Sequence, residues 1–211
     1  MGMDARHRIA LAAALLVLLA AAPAAHARFF GANLSRAANN THSCQSLVPF
    51  QAVPSCSWTT SGALFNPREG MVVPGNGRIV RVLVKVGNRT GPMRIAILQS
   101  LRRENSGEAA CCIGRRQSRV FTPRRNAITS VPVSLPVSVR FNSQSRIYSF
   151  DSLFLTMENR FTPIPAHVAP DGSGNCSGGW FPAVRPGQEN FTGPYGSCGT
   201  TILIRADWRP A

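Results

Sequence analysis

The amino-acid sequence predicts an all-β protein, a single antiparallel β-sandwich stapled by disulfides and preceded by a cleaved signal peptide. Three observations predict it. Beyond residue 27 no stretch carries the apolar stripe of a helix. Short runs of alternating polar and apolar residues recur instead, separated by Gly, Pro and Asn at the spacing of a sandwich. The six cysteines, an even number, all follow residue 27, which in an exported chain reads as a disulfide framework.

The leader comes first. Arg6 and Arg8 form a basic head, Ile9 to Ala22 is unbroken apolar sequence, and Ala25-His26-Ala27 supplies a small-residue site, so cleavage is expected after Ala27. The apolar run is shorter than the roughly 20 residues a bilayer requires, and no later segment approaches that length. A secreted, extracellular or cell-surface chain with no transmembrane span is therefore expected. The domain reading is a signal peptide at 1–27, an N-terminal arm and loop at 28–54, and a sandwich domain at 55–211, enough for one sizeable core.

Asn66 to Gly77 is loop chemistry, with Pro67, Gly70, Pro74 and Gly75. Arg78 to Val86 alternates, Gly87 to Pro92 is a turn, and Met93, Ile95, Ile97 and Gln99 share one face of a second strand. Residues 78–100 are thus expected as a hairpin. Arg119–Thr122 and Ile128–Val139 follow as strands, the second demoted to an edge or bulge because Pro132 and Pro136 have no N–H for a ladder. Leu153, Leu155 and Met157 alternate again, and Thr201–Ala206 forms the last strand, with Trp208 just past it. No crossover helices separate these runs, so the sheets are expected to be antiparallel. Residues 171–199, rich in Gly, Ser, Asn and Pro, read as a long functional loop.

The adjacent Cys111 and Cys112 constrain the pairing. Across a trans peptide their Cα atoms would be ~3.8 Å apart, below the roughly 4.4 Å at which ordinary disulfides begin. Cys44 and Cys56 are therefore each expected to take one of them, with Cys176 closing on Cys198 and holding the long loop in shape.

Several short segments, among them Ser55-Cys56-Ser57-Trp58, Thr90-Gly91-Pro92-Met93, Ala110-Cys111-Cys112, Pro163-Ile164-Pro165-Ala166-His167 and Ala206-Asp207-Trp208, resemble those of a group of secreted proteins of high-GC actinobacteria. The resemblance covers roughly residues 55–208 and implies export and a jelly-roll-like sandwich. It carries no functional residue across.

The formal net charge is +14, and Lys85 is the only lysine beside many arginines. Such a charge favours acidic partners. Arg102, Arg103, Arg115, Arg116, Arg119, Arg124 and Arg125 fall close together in the sequence and are the candidate basic face. Nucleic acid is not the expected partner, because Phe121 is the only aromatic within that cluster and single-strand binders interleave several.

Catalytic and metal signatures are broken. Thr41-His42-Ser43-Cys44 and Asn175-Cys176-Ser177-Gly178-Gly179 faintly echo a serine protease, but Cys176 stands where the nucleophile motif needs Asp. Asp171 to Asn175 alternates oxygen ligands like a calcium loop, yet Cys176 takes the position that demands Gly. Of the acidic residues Glu69, Glu104, Glu108, Asp151, Glu158, Asp171, Glu189 and Asp207, no pair is marked by its setting for glycosidic chemistry. Neither a metal nor a cofactor is expected, and the chain is read as a non-enzyme.

Flat rings stack on the apolar face of sugars while amides take the hydroxyls. Trp180, Phe181 and Tyr195, with Asn175, Gln188 and Asn190, lie on the stapled loop and form the candidate binding site. The expected function is binding of a neutral or anionic extracellular polysaccharide or another cell-surface polymer. The alternative is a surface or matrix protein with no small ligand, and behind it a secreted hydrolase.

Overall fold

A computed structural model describes residues 28–49, 52–60, 70–105, 109–191 and 195–211. The expected signal peptide lies outside them. In chain order the strands are β1 (Arg28–Gly31), β2 (Cys56–Thr60), β3 (Gly77–Lys85), β4 (Met93–Arg103), β5 (Ala109–Gln117), β6 (Ile128–Val137), β7 (Val139–Asn142), β8 (Ile147–Met157), β9 (Ala166–Val168), β10 (Cys176–Trp180), β11 (Tyr195–Cys198), β12 (Thr200–Ile202) and β13 (Ile204–Pro210). One helical turn, α1 (Cys44–Leu47), precedes β2. All pairings are antiparallel, as expected.

The smaller sheet runs β1-β13-β3-β6 and the larger β11-β10-β2-β8-β4-β5, with β7 also on β8; β9 and β12 form a separate ribbon. β6 is an edge strand, which gives Pro132 and Pro136 the place their missing N–H requires. Alternation turns Ile79, Val82, Val84, Ile204, Ala206 and Trp208 of the smaller sheet toward Ile95, Ile97, Leu153, Leu155 and Met157 of the larger. Each buried Val, Leu, Ile or Met among them contributes about 1.5–3 kcal/mol.

The larger sheet is buried on its other face as well. Ala96, Leu98, Cys112 and Phe154 pack there against Trp180 and Val184 in a second core. The cover is the segment after β10, residues 181–190, which crosses the sheet and pairs with the free edge of β5. Cys112 and Asn190 exchange backbone hydrogen bonds of 2.6 and 2.8 Å, and Gly114 N–H donates to Gln188 O at 2.8 Å. This strap explains why β4 and β8 are buried along continuous runs rather than alternately. It also reports the sheet's curvature. Asn190 and Tyr195 are five residues apart and so at most about 18 Å from each other. Flat strands at ~4.8 Å spacing would put β5 and β11 about 24 Å apart, so the sheet curls around its second core.

Four expectations are corrected. Residues 78–100 are not a hairpin: β3 and β4 lie in different sheets, and the turn at 87–92 carries the chain across the core. Residues 119–122 make only one bridge, Phe121 to Met93. Residues 171–199 are not one loop, since β10 and β11 occupy its ends and the strap its middle. The fourth is the disulfide pattern. Cys176–Cys198 forms as expected, but Cys44 pairs with Cys56 and Cys111 with Cys112. Ser43 caps α1 through a reciprocal bond with Ser46, and the capped turn sets Cys44 Cα 5.7 Å from Cys56 Cα, both side chains fully buried. The peptide between Cys111 and Cys112 is cis, with Cα atoms 3.0 Å apart, so the trans separation behind the expectation does not apply.

Candidate functional site

The stapled segment places its candidate residues apart. Trp180 is 5% exposed, edge-on to Phe154 with ring centroids 5.3 Å apart, so it offers no ring face to a ligand. The reason is local. Trp180 pairs with Ser57 across β10 and β2, on the face that the strap covers. Its neighbour Gly179 lies against the Trp58 ring, where a Cβ would collide with the indole. Phe181 is half-buried between Trp58 and Tyr195, meeting both edge-on at 6.0 and 5.1 Å. Tyr195 alone of the three is well exposed, at 52%. Asn175 is buried, its amide donating to Thr201 Oγ1 at 3.2 Å. The Gln188 side chain accepts from Arg185 N–H at 3.0 Å, and Asn190 is on the β5 edge. The Asn175 amide thus ties the start of β10 to β12, and the Gln188 amide closes a turn within the strap.

The candidate basic residues are spread as well. Arg102 and Arg103 end β4, whereas Arg119 follows Ser118, whose N–H donates to Ile95 O at the other end of that strand. Eight strand residues separate these ends, about 27 Å, more than two Debye lengths at 0.1 M salt. Arg115 and Arg116 lie between them on β5, and Arg124 and Arg125 sit in the turn leading into β6 of the other sheet. The seven do not act as one face.

What the structure does bring together is a row across three strands. Arg102 on β4 is opposite Tyr148 on β8, which is opposite Phe141 on β7. The two rings are 4.5 Å apart at 33°, and the Arg102 guanidinium is 5.6 Å from the Tyr148 ring centre. Phe141 is 45% exposed. Alternation sets this row on the same face of the sheet as Ala96, Leu98 and Phe154, beyond the ground the strap covers. Glu104, two residues further along the chain, is engaged by Arg146 at 2.7 Å, whereas Arg102 has no ion pair among the described residues. Sequence reading found Arg102 but missed both rings. Tyr148 and Phe141 become neighbours only through strand register, and the one local signal is the alternation that begins at Ile147, ahead of the Leu153 run.

The reactive side chains have ordinary structural settings. His42 accepts from Ile164 N–H through its carbonyl, while Ser177 lies buried in β10 opposite Thr60. Asp171 takes the Ser173 hydroxyl and N–H in a tight turn, which holds its pKa below the ordinary carboxylate value. Glu158 accepts both Arg185 Nη atoms at 2.7 and 3.2 Å and has Arg94 Nε at 3.2 Å, fastening the strap to the sheet. Among the described residues no group of three or more His, Cys, Asp or Glu could hold a metal ion, and no helix is long and apolar enough to cross a membrane. Comparison with known proteins finds no matching family, no matching curated protein and no matching solved structure.

Proposed function

We propose that the chain is a secreted, non-catalytic binding protein for an extracellular polysaccharide or another cell-surface polymer. The single observation that supports the reading most is the Arg102–Tyr148–Phe141 row, two stacked rings and a guanidinium with no ion pair among the described residues, on an uncovered end of a sheet. Phe141, the exposed ring of this stacked pair, offers an aromatic surface to the apolar face of a sugar, and the arginine suits a hydroxyl or an acidic substituent. Tyr195, exposed at the stapled hairpin, is a separate aromatic contact.

The test is a glycan and wall-polymer array probed with the parent, Phe141→Ala and Tyr148→Ala at two salt concentrations. Each aromatic change is expected to weaken polymer binding several-fold, about 1 kcal/mol, with the melting transition kept. Undiminished binding by both variants would sink the reading, and the matrix protein without a small ligand would replace it.

A further inference from the structure

The smaller sheet carries a concentration of charge that sequence proximity hides. Along β3 and β13, alternation sends Ile79, Val82, Ala206 and Trp208 into the core, so Arg78, Arg81, Arg205, Asp207 and Arg209 stand on the outer face. Asp207 is opposite Arg81, and Arg209 is opposite Arg78. Asp207 is the only acidic residue of β1, β3, β6 and β13. It is buried and accepts Arg81 Nε at 2.6 Å, with a second contact from Nη2, so Arg81 is neutralised. Arg205 lies over the exposed Phe29 ring, 4.2 Å from its centre, and its buried Nε has no hydrogen-bond partner among the described residues. Arg78 donates to the neutral Ser134 hydroxyl at 2.7 Å, and neither Arg78 nor Arg209 has an ion pair among the described residues.

Like charges directly opposite across two strands destabilise a sheet. Two guanidinium forks with Cα atoms roughly 5 Å apart also form a ready clamp for an oxyanion set between them. Arg205 stands four residues from Arg209 on the same strand, about 13 Å away. We propose that this outer face binds a linear polyanion, one oxyanion group seated between Arg78 and Arg209 and the next at Arg205. Arg205 and Arg209 lie along β13 with Arg78 beside Arg209 on β3, a row rather than a ring around an apolar patch, which suits a chain more than a bilayer. The site is separate from the Arg102–Tyr148–Phe141 row and does not depend on the polysaccharide reading.

The experiment titrates the intact chain with inorganic polyphosphate of defined length. The Arg78→Gln/Arg209→Gln double variant is expected to lose about tenfold in affinity at low salt, because charge-assisted contacts to the polymer are lost, and to melt no lower than the parent, because a repulsion is removed. An Arg124→Gln/Arg125→Gln variant removes the same charge elsewhere and is expected to lose much less. Tyr148→Ala is expected to bind polyphosphate like the parent, so failure of the polymer row and failure of this face read differently. Equal losses in the two arginine variants would overturn the proposal. So would binding to anionic phospholipid vesicles without binding to polyphosphate.

Discussion

Asp151 is a carboxylate held in a place that disfavours its charge. Its Oδ2 accepts Ser138 N–H at 2.8 Å, while its buried Oδ1 has no partner among the described residues. Burial raises its pKa above the ordinary 3.8, and the Ser138 bonds and the nearby Arg115 and Arg116 oppose that only in part. The folded state therefore holds this proton more tightly than the unfolded chain does. The stability this lends is complete below the unfolded pKa and is lost as pH rises through the folded value. Asp151→Asn keeps an acceptor for Ser138 and abolishes the titration. It is expected to be more stable than the parent at pH 7, the gap closing toward pH 3, as urea unfolding at the two pH values will show. Lower stability at pH 7 would mean that attraction to Arg115 outweighs desolvation.

At the scale of elements, the strap decides which aromatic belongs to which task. Trp180→Ala empties part of the second core and is expected to cost about 3–5 kcal/mol, whereas the exposed Tyr195→Ala is expected to stay within about 0.5 kcal/mol of the parent. Denaturant midpoints of the two variants check the contrast, and equal midpoints would contradict the burial of Trp180. Gly114 is the strap's seat: a Cβ there would strike Arg185 O. The alternating strands were legible in the sequence because period-two burial leaves a direct trace in residue order. The strap was not, because Gly, Pro and polar residues that pair with an edge look like those of a free loop. The supposed 78–100 hairpin failed for a related reason. A short turn between two alternating runs usually joins neighbours, and nothing in Gly87 to Pro92 tells a turn within a sheet from a step between sheets.

For the whole molecule, the two cores share their strands. Ile95 and Ile97 face one core while Ala96 and Leu98 face the other, and Leu153 and Leu155 flank Phe154 in the same way. Neither core can be lost while β4 and β8 remain in place, so one cooperative transition is expected. Tryptophan fluorescence of a chain retaining Trp180, and of one retaining Trp58 and Trp208, will test it, each after Trp→Phe changes at the others. Separate midpoints would show two independent units. Function is less legible at this scale than fold. Arg78 is far in the sequence from Arg205 and Arg209, with which it shares a surface, whereas the arginines between 102 and 125, close in sequence, are divided among β4, β5 and the turn leading into β6.

The order β1-β13-β3-β6 has a consequence for how the protein comes into being. β13 is hydrogen-bonded on one side to β1 and on the other to β3, so residues 28–31 wait for residues 204–210 to join the sheet, and residues 77–85 wait for the second of their two neighbours. While the ribosome is still making the strap, β1 has no partner and β3 only β6, and the inner face of that sheet stays wet. Loop closure over so long a stretch of chain makes the final pairing slow. The smaller sheet is complete only once β13 takes its place between β1 and β3.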